Sequence, residues 1–184
     1  VFLIATLSRT TEVVRTLYLD FAMQPFMFES WKDYLGDSRA YGFASLFGIV
    51  HPILYIMKNF LGIFDVFPVF FEDIKNNIQL VYDSWISIGT VLSANAYTTS
   101  FWYMYYDGGV IAIIVEMILW GAYCARSYCL VNCVPSQKNI TYYIMVIIGV
   151  CYSFAEFEFS KSSYVLGFVF ISHVLFVKLQ NIRN

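Results

Sequence analysis

The sequence predicts an all-α, polytopic integral membrane protein built as a helical bundle. Hydrophobic residues make up 59% of the chain and charged residues only 13%, whereas a soluble domain usually carries about 25% charged residues. Mean hydropathy is +0.64. The longest apolar runs lie towards the C-terminus and are separated by polar stretches. This pattern is typical of membrane spans and differs from that of a globular core.

Three apolar runs are predicted to be transmembrane helices: Gly108–Ala125, Ile140–Ala155 and Ser163–Val177. Glu116 is the single charge in the first run, whose 18 residues would cross roughly 27 Å as a helix. Asp107 directly precedes this run, where a carboxylate caps a helix and meets the positive end of its dipole. We therefore expect a division between residues 107 and 108. Residues 1–107 would hold the end of a membrane helix, interfacial or re-entrant helices and an external loop region, and residues 108–184 the three spans.

The first 28 residues are predicted to be helical in two parts. Val1–Leu7 has the composition of the tail of a membrane helix. Val13–Phe28 is apolar but is interrupted by Arg15, Asp20 and Gln24. Three polar interruptions argue against a lipid-exposed span, so this helix is expected in a bundle or on the membrane interface.

The middle of the chain has a less certain relation to the membrane. Glu29–Arg39 is a polar connection of mixed charge. Tyr41–Phe64 lacks acids but contains His51-Pro52 and Lys58-Asn59, so it either spans the membrane or dips into it and returns. Asp65–Ser93 is predicted to be loop and short helix.

The loop charges predict an orientation. The Arg126–Asn139 loop and the tail from Lys178 carry basic residues without acids, whereas Asp65–Asp107 carries five acids and one Lys. Lys and Arg in short loops mark the cytoplasmic side. The C-terminus is therefore predicted to be cytoplasmic and the acidic segment external.

The remaining totals exclude some functions. The net charge of −2 gives no reason to expect nucleic-acid binding. The four cysteines form no CxxC pair and have no His near them in sequence, so free thiols are expected and a zinc site is not. The chain begins with Val1, inside a predicted span and without a basic n-region, so it is expected to be a C-terminal portion and not to start with a signal peptide.

The stretch from Asn95 to Gly109 carries a resemblance. An Asn-x-Tyr-Thr loop, several aromatic residues and then Asp-x-Gly at the opening of an apolar helix resemble the C-terminal part of bacterial oligosaccharide repeat-unit polymerases, the O-antigen polymerases of the Wzy type. The matching residues are Asn95, Tyr97, Thr98, Phe101, Tyr105, Tyr106, Asp107 and Gly109. Gly108 departs from the pattern, because the family usually has an aromatic or aliphatic residue there.

The resemblance implies an enzyme of the bacterial inner membrane. It would join oligosaccharide repeat units carried on polyprenyl pyrophosphate into O-antigen, capsular or exopolysaccharide chains. No cofactor or metal is expected. The implied partners are the lipid-linked oligosaccharide, the bilayer and, within the pathway, a flippase and a chain-length regulator.

Arginines on the predicted outer side are candidates for binding the pyrophosphate. Arg9, Arg15 and Arg39 lie there against the positive-inside tendency if Tyr41–Phe64 is re-entrant. A guanidinium fork binds phosphate oxygens in pairs. The resemblance therefore implies that one or two of them hold the leaving group. The alternative is ordinary ion pairing with Glu12, Asp20 or Asp37.

Three further residues are candidates for a functional role. His51 would act as a base or hydrogen-bond donor, or would be a partly buried structural histidine. Asp107 would position or deprotonate the acceptor hydroxyl, or would cap the helix. Glu116, an acid inside a predicted span, is either functional or a protonated group hydrogen-bonded to a neighbouring helix.

The resemblance also assigns Asn95, Tyr97 and Thr98 to substrate binding. The aromatic residues from Phe101 to Tyr106 are expected to form an interfacial belt or, as the alternative, a surface that stacks on sugars.

Other functions remain open at this point. An O-antigen ligase or another lipid-dependent glycosyltransferase would use the same donor chemistry. A transporter or flippase of lipid-linked sugars is the alternative of a different class, and it should show repeated halves or broken helices at mid-membrane. The sequence contains no P-loop, GxSxG, HExxH or DxD motif.

Overall fold

The computed structural model describes residues 22–62, 69–88, 92–95 and 98–171. Six helices and one hairpin follow each other along these residues. The helices are α1 (residues 22–35), α2 (Phe47–Phe60), α3 (Val69–Asp83), α4 (Thr99–Cys133), α5 (Gln137–Tyr152) and α6 (Ser162–Val169), with a short 3-10 turn at Glu158–Ser160. The predicted helical character is confirmed.

A two-stranded antiparallel hairpin is the exception to the all-α prediction. Strands β1 (Trp85–Ile88) and β2 (Leu92–Asn95) pair with Trp85 opposite Asn95. The hairpin follows α3, a 15-residue helix in the segment for which loop and short helix were predicted.

The main core surrounds the first third of α4. Trp102, Tyr103, Met104 and Tyr106 are almost fully buried. They belong to one cluster with buried residues of α1, of α3 and of the start of α2. In this cluster α3 contributes every third or fourth residue, Ile74, Ile78 and Val81, as expected for one face of an amphipathic helix.

The second part of α4 presents apolar side chains to the outside. Val110, Ile111, Ile114 and Ile118 are all more than half exposed. Among the described residues, α4 is the one helix that is long and apolar enough to cross a membrane. Such a face is typical of a helix that contacts lipid.

The helix boundaries differ from the predicted spans. Helix α4 runs from Thr99 to Cys133 but is interrupted by non-helical backbone at Gly108 and Gly109, so its second part begins beside the predicted start at Gly108. The predicted 126–139 loop was wrong, because residues 126–133 are helical. The connection to α5 comprises residues 134–136, and Ser136 Oγ accepts the N–H of Asn139 at 3.2 Å as an N-cap. α5 has 16 residues and the described part of α6 has eight, whereas a full crossing takes about 20.

Helix α2 also bears on the membrane prediction. Its 14 residues extend about 21 Å, which is less than the roughly 30 Å hydrocarbon core of a bilayer. The helix by itself is therefore too short for a full crossing. Whether Tyr41–Phe64 is re-entrant stays a prediction.

Candidate functional site

Helix α4 is broken at Gly108 and Gly109, inside the stretch that carries the resemblance. Gly108 is extended, with φ −171° and ψ 30°, and Gly109 has φ 69° and ψ −152°. The second conformation lies in a region that L side chains rarely adopt, so glycine is required there. The break separates the protein-buried part of α4 from its apolar exposed part.

The segment 40–45 docks against this break and satisfies its backbone. The N–H of Ala40 donates to Tyr106 O at 2.8 Å, and the N–H of Tyr41 donates to Asp107 O at 2.9 Å. These carbonyl oxygens would otherwise lack hydrogen-bond donors where the helical pattern stops. The 40–45 segment therefore closes the break by main-chain hydrogen bonds.

Asp107 binds the same segment through its side chain. Oδ1 accepts the N–H of Ala44 at 2.8 Å and Oδ2 accepts the N–H of Ser45 at 2.9 Å. The carboxylate is 3% exposed. Its observed role is thus to anchor a distant segment, which differs from the predicted capping of a helix that starts at Gly108. A catalytic role for Asp107 stays a prediction.

Ser45 joins Asp107 to Glu116. Its N–H binds Asp107, and its Oγ donates to Glu116 Oε2 at 2.6 Å. Ser45 therefore bridges the two carboxyl groups. Glu116 is hydrogen-bonded to another part of the protein. Its structural alternative predicted a partner on a neighbouring helix, and the observed partner lies in the 40–45 segment.

Arg39 lies beside the same part of α4. Its Nη1 donates to the carbonyls of Gly36 at 2.9 Å and Ser38 at 2.6 Å, and the guanidinium lies 5.3 Å from the centre of the Tyr105 ring. Among the described residues, its contacts are therefore backbone carbonyls and a ring, and no ion pair with Asp37 is present. Nε and Nη2 have no hydrogen-bond partner in this part of the chain. The N–H donors on these two guanidinium nitrogens are therefore available to bind another ligand.

His51 lies on α2 and stays separate from this arrangement. Its ring centre is 5.3 Å from that of Phe47 and 6.4 Å from that of Tyr55. Within the described residues no hydrogen bond connects it to Arg39 or Asp107. The structure thus brings Arg39 and Asp107 to one end of α4 and leaves His51 in a ring contact on its own helix.

The other predicted site residues divide into two groups. Thr98 is buried just before α4, and Asn95 ends strand β2 opposite Trp85. Arg9, Arg15 and Tyr97 lie outside the described residues. Their predicted roles in substrate binding stay predictions.

Three of the five aromatic residues from Phe101 to Tyr106 occupy a different environment from the predicted one, whereas Phe101 is 44% exposed. Trp102, Tyr103 and Tyr106 are at most 1% exposed, so they form neither an interfacial belt nor a sugar-stacking surface. Trp102 packs on Tyr103 and Tyr106 with ring centres 5.0 and 5.5 Å apart. The aromatic density reflects a protein core, in which large rings contribute much buried area.

A polar cluster that the sequence did not reveal connects α3 to the α5–α6 connection. Lys161 pairs with Glu156 and, at 3.1 Å, with Glu158. The hydroxyl of Tyr82 donates to Glu156 and accepts from Tyr103 at 3.2 Å. The signal available in the sequence was the close spacing of Glu156, Glu158 and Lys161 between two apolar runs.

Burial shapes the titration of this cluster. It raises the pKa of Glu158 and lowers the pKa of Lys161. Burial, the Tyr103 hydroxyl and the Glu158 charge raise the pKa of Tyr82. The ion pairs of Lys161 oppose the effect of burial on the pKa of Glu158 and of Lys161. The paired side chains are only 10% to 31% exposed, so the cluster links α3 to the α5–α6 connection.

No group of three or more His, Cys, Asp or Glu residues within the described residues is arranged to hold a metal ion. All four cysteines are free thiols, as predicted.

Comparison with known proteins adds no relative. No protein-family model, no curated protein and no solved structure matches the chain.

Proposed function

We propose that this chain belongs to a multi-pass glycan polymerase of a bacterial inner membrane. It joins oligosaccharide repeat units that are carried on polyprenyl pyrophosphate. The runs Gly108–Ala125, Ile140–Ala155 and Ser163–Val177 are its three C-terminal spans in this proposal. The membrane part of the proposal is supported by the exposed apolar side of α4.

One observation carries the proposal for the glycan chemistry. Tyr106 and Asp107 of the motif-bearing stretch hold the segment that follows Arg39, and the Arg39 guanidinium lies over the Tyr105 ring. A cation of fixed charge is thereby placed at the point where α4 changes from buried to exposed. A pyrophosphate at the membrane surface needs such a group, because Arg keeps its charge and offers a planar fork.

The proposed reaction breaks one bond and forms another. The acceptor sugar hydroxyl attacks the anomeric carbon of the donor glycan, and the bond from that carbon to the pyrophosphate oxygen breaks. A base accepts the hydroxyl proton, and the polyprenyl pyrophosphate leaves with its electron pair. Arg39 stabilises the charge on the leaving group, while His51 and Asp107 are the candidates for the base.

A transporter of lipid-linked sugars is the second candidate, because α4 is discontinuous. Transporters place breaks of this kind near the middle of the membrane. Here the break lies at Gly108–Gly109, at the start of the apolar run, and the 40–45 segment satisfies its backbone. This position favours a surface site over a mid-membrane pathway. A ligase would share the donor and differ in the acceptor.

Replacement of Arg39 by Lys tests the proposal. Lys keeps the charge but loses the fork, so Arg39→Lys should lower polymer formation on the order of 100-fold. Glycan chain length in cells, normalised to the amount of protein in the membrane, is the measurement. Arg126→Lys, at an exposed position on α4, is the matched control and should leave chain length unchanged. Full-length polymer from Arg39→Lys at normal abundance would rule out this arginine as the pyrophosphate ligand.

A further inference from the structure

An apolar pocket has a volume of about 430 Å³. Its three walls are the 40–45 segment together with the start of α2, the exposed part of α4, and residues 157–159. This volume is within the range of small-molecule sites, roughly 300–1,000 Å³. Two polar residues, Ser45 and Glu116, and four rings, Trp120, Tyr123, Phe157 and Phe159, are among its lining residues.

The four rings form one connected wall. Trp120 stacks on Tyr123 with ring centres 5.6 Å apart and planes at 19°. It meets Phe157 and Phe159 edge to face, with centres 5.8 and 5.3 Å apart. Faces of aromatic rings attract cations, and walls of several rings are the usual recognition site of ammonium groups.

Glu116, the acid among the lining residues, lacks a basic partner in the part of the chain that the structure describes. Glu116 Oε2 accepts from Ser45 Oγ, and the Asp107 oxygens accept two backbone N–H groups. Within the described ranges, the acids that form salt bridges are Asp33, Glu156 and Glu158. Glu116 and Asp107 form none there. A carboxylate beside aromatic rings provides negative potential that a cation complements.

We propose that this pocket binds a lipophilic ammonium ion. The ammonium group lies between Glu116 and the faces of the aromatic wall, and the apolar body of the ligand contacts Leu119 and Ile49, which also line the pocket. The site is separate from the Arg39 surface, and its ligand need not take part in glycan transfer.

The full chain, purified in an uncharged maltoside detergent, is tested with a charged probe and its uncharged isostere. Isothermal titration calorimetry compares benzyltrimethylammonium with neopentylbenzene, in which carbon replaces the nitrogen. The ammonium probe should bind saturably and about tenfold more tightly than the isostere, because only the cation gains from the rings and Glu116. Glu116→Gln, which keeps an acceptor for Ser45, should lose most of this difference. Glu72→Gln, at an exposed position on α3, should retain it.

Three results would overturn the proposal: no saturable binding of the ammonium probe, equal binding of the isostere, or unchanged preference in Glu116→Gln. If Glu116→Gln does not fold, the comparison of the two probes on the unmodified chain decides. Competition by phosphatidylethanolamine and not by phosphatidylglycerol would identify a lipid headgroup as the source of the ammonium, and lack of competition by either would indicate a free amine.

Discussion

Asp107 shows how one carboxylate organises two distant parts of the chain. Each of its oxygens accepts one N–H from the 40–45 segment, more than 60 residues away in sequence. Hydrogen bonds to a buried charged group contribute about 1.5–3 kcal/mol each. The position of Arg39 and Ser45 relative to α4 therefore depends on this residue.

The anchoring role predicts that Asp107→Asn destabilises the protein. An amide offers one acceptor oxygen and turns its NH₂ towards a second N–H, so one buried donor loses its partner. The expected cost is about 1–3 kcal/mol, measured by thermal unfolding in detergent. Asp83→Asn is the control, because Asp83 is exposed and, within the described residues, accepts only from Gln79 at 3.4 Å. It should change stability by less than about 0.5 kcal/mol. Unchanged stability with lost polymerisation would instead identify Asp107 as the base.

Buried aromatic residues mark a limit of what the sequence could predict at this scale. Trp, Tyr and Phe are frequent both at membrane interfaces and in cores. The run from Phe101 to Tyr106 has no periodic signal that separates the two environments. Trp102, Tyr103 and Tyr106 are buried because α1 and α3 pack around them, and this packing cannot be read from the run itself.

At the scale of elements, close backbone approach fixes α2 on the α5–α6 connection. A Cβ atom added to Gly48 would lie 2.5 Å from Phe159 O and 2.6 Å from Lys161 O. Both neighbours are backbone atoms, so they cannot rotate away. The contact needs glycine for reasons of space.

Gly48→Ala should therefore push α2 away from the connection and lower stability by about 1–3 kcal/mol. Gly121→Ala is the matched control, since a Cβ there meets nothing within 4 Å and alanine in a helix interior is more favourable than glycine by about 0.5–1 kcal/mol. The unfolding temperatures of the two variants should move in opposite directions. A Gly48→Ala protein as stable as the unmodified chain would contradict the observed packing.

The boundaries of α4 show why helices were predicted with the right character and the wrong lengths. Apolar runs indicate where a helix contacts lipid, so the run from Gly108 was found. The preceding residues, from Thr99, are helical because protein surrounds them, and the first N–H groups of the helix are satisfied by Ala155 O and Ser153 O. Partners this far along the chain leave no local signal in the sequence.

At the scale of the whole molecule, the orientation of the chain in the membrane is a separate prediction from loop charge. In a background with all four cysteines replaced, Val134→Cys should react only with reagents that reach the cytoplasm. Thr90→Cys should react with impermeant reagents added outside, because the acidic 65–107 segment is predicted to be external. External labelling at position 134 would overturn the orientation and the position of the proposed site with it.

The predicted division of the chain at residue 107 into an external part and a membrane part stays a prediction, but a structural change lies close to it. The break at Gly108–Gly109 and the change from buried to exposed side chains coincide with it. The docking of the 40–45 segment and the Tyr82–Glu156–Lys161 cluster were not predictable, because both depend on contacts between elements far apart in sequence.

Reconstitution with lipid-linked repeat units tests the central proposal, a membrane glycan polymerase, most directly. The purified protein in proteoliposomes is given polyprenyl-pyrophosphate oligosaccharide, and the products are separated by size. We expect a ladder of lipid-linked glycans that grows by whole repeat units, with release of free polyprenyl pyrophosphate. Substrate that remains a single repeat unit, or that crosses the bilayer without a new glycosidic bond, would contradict the proposal.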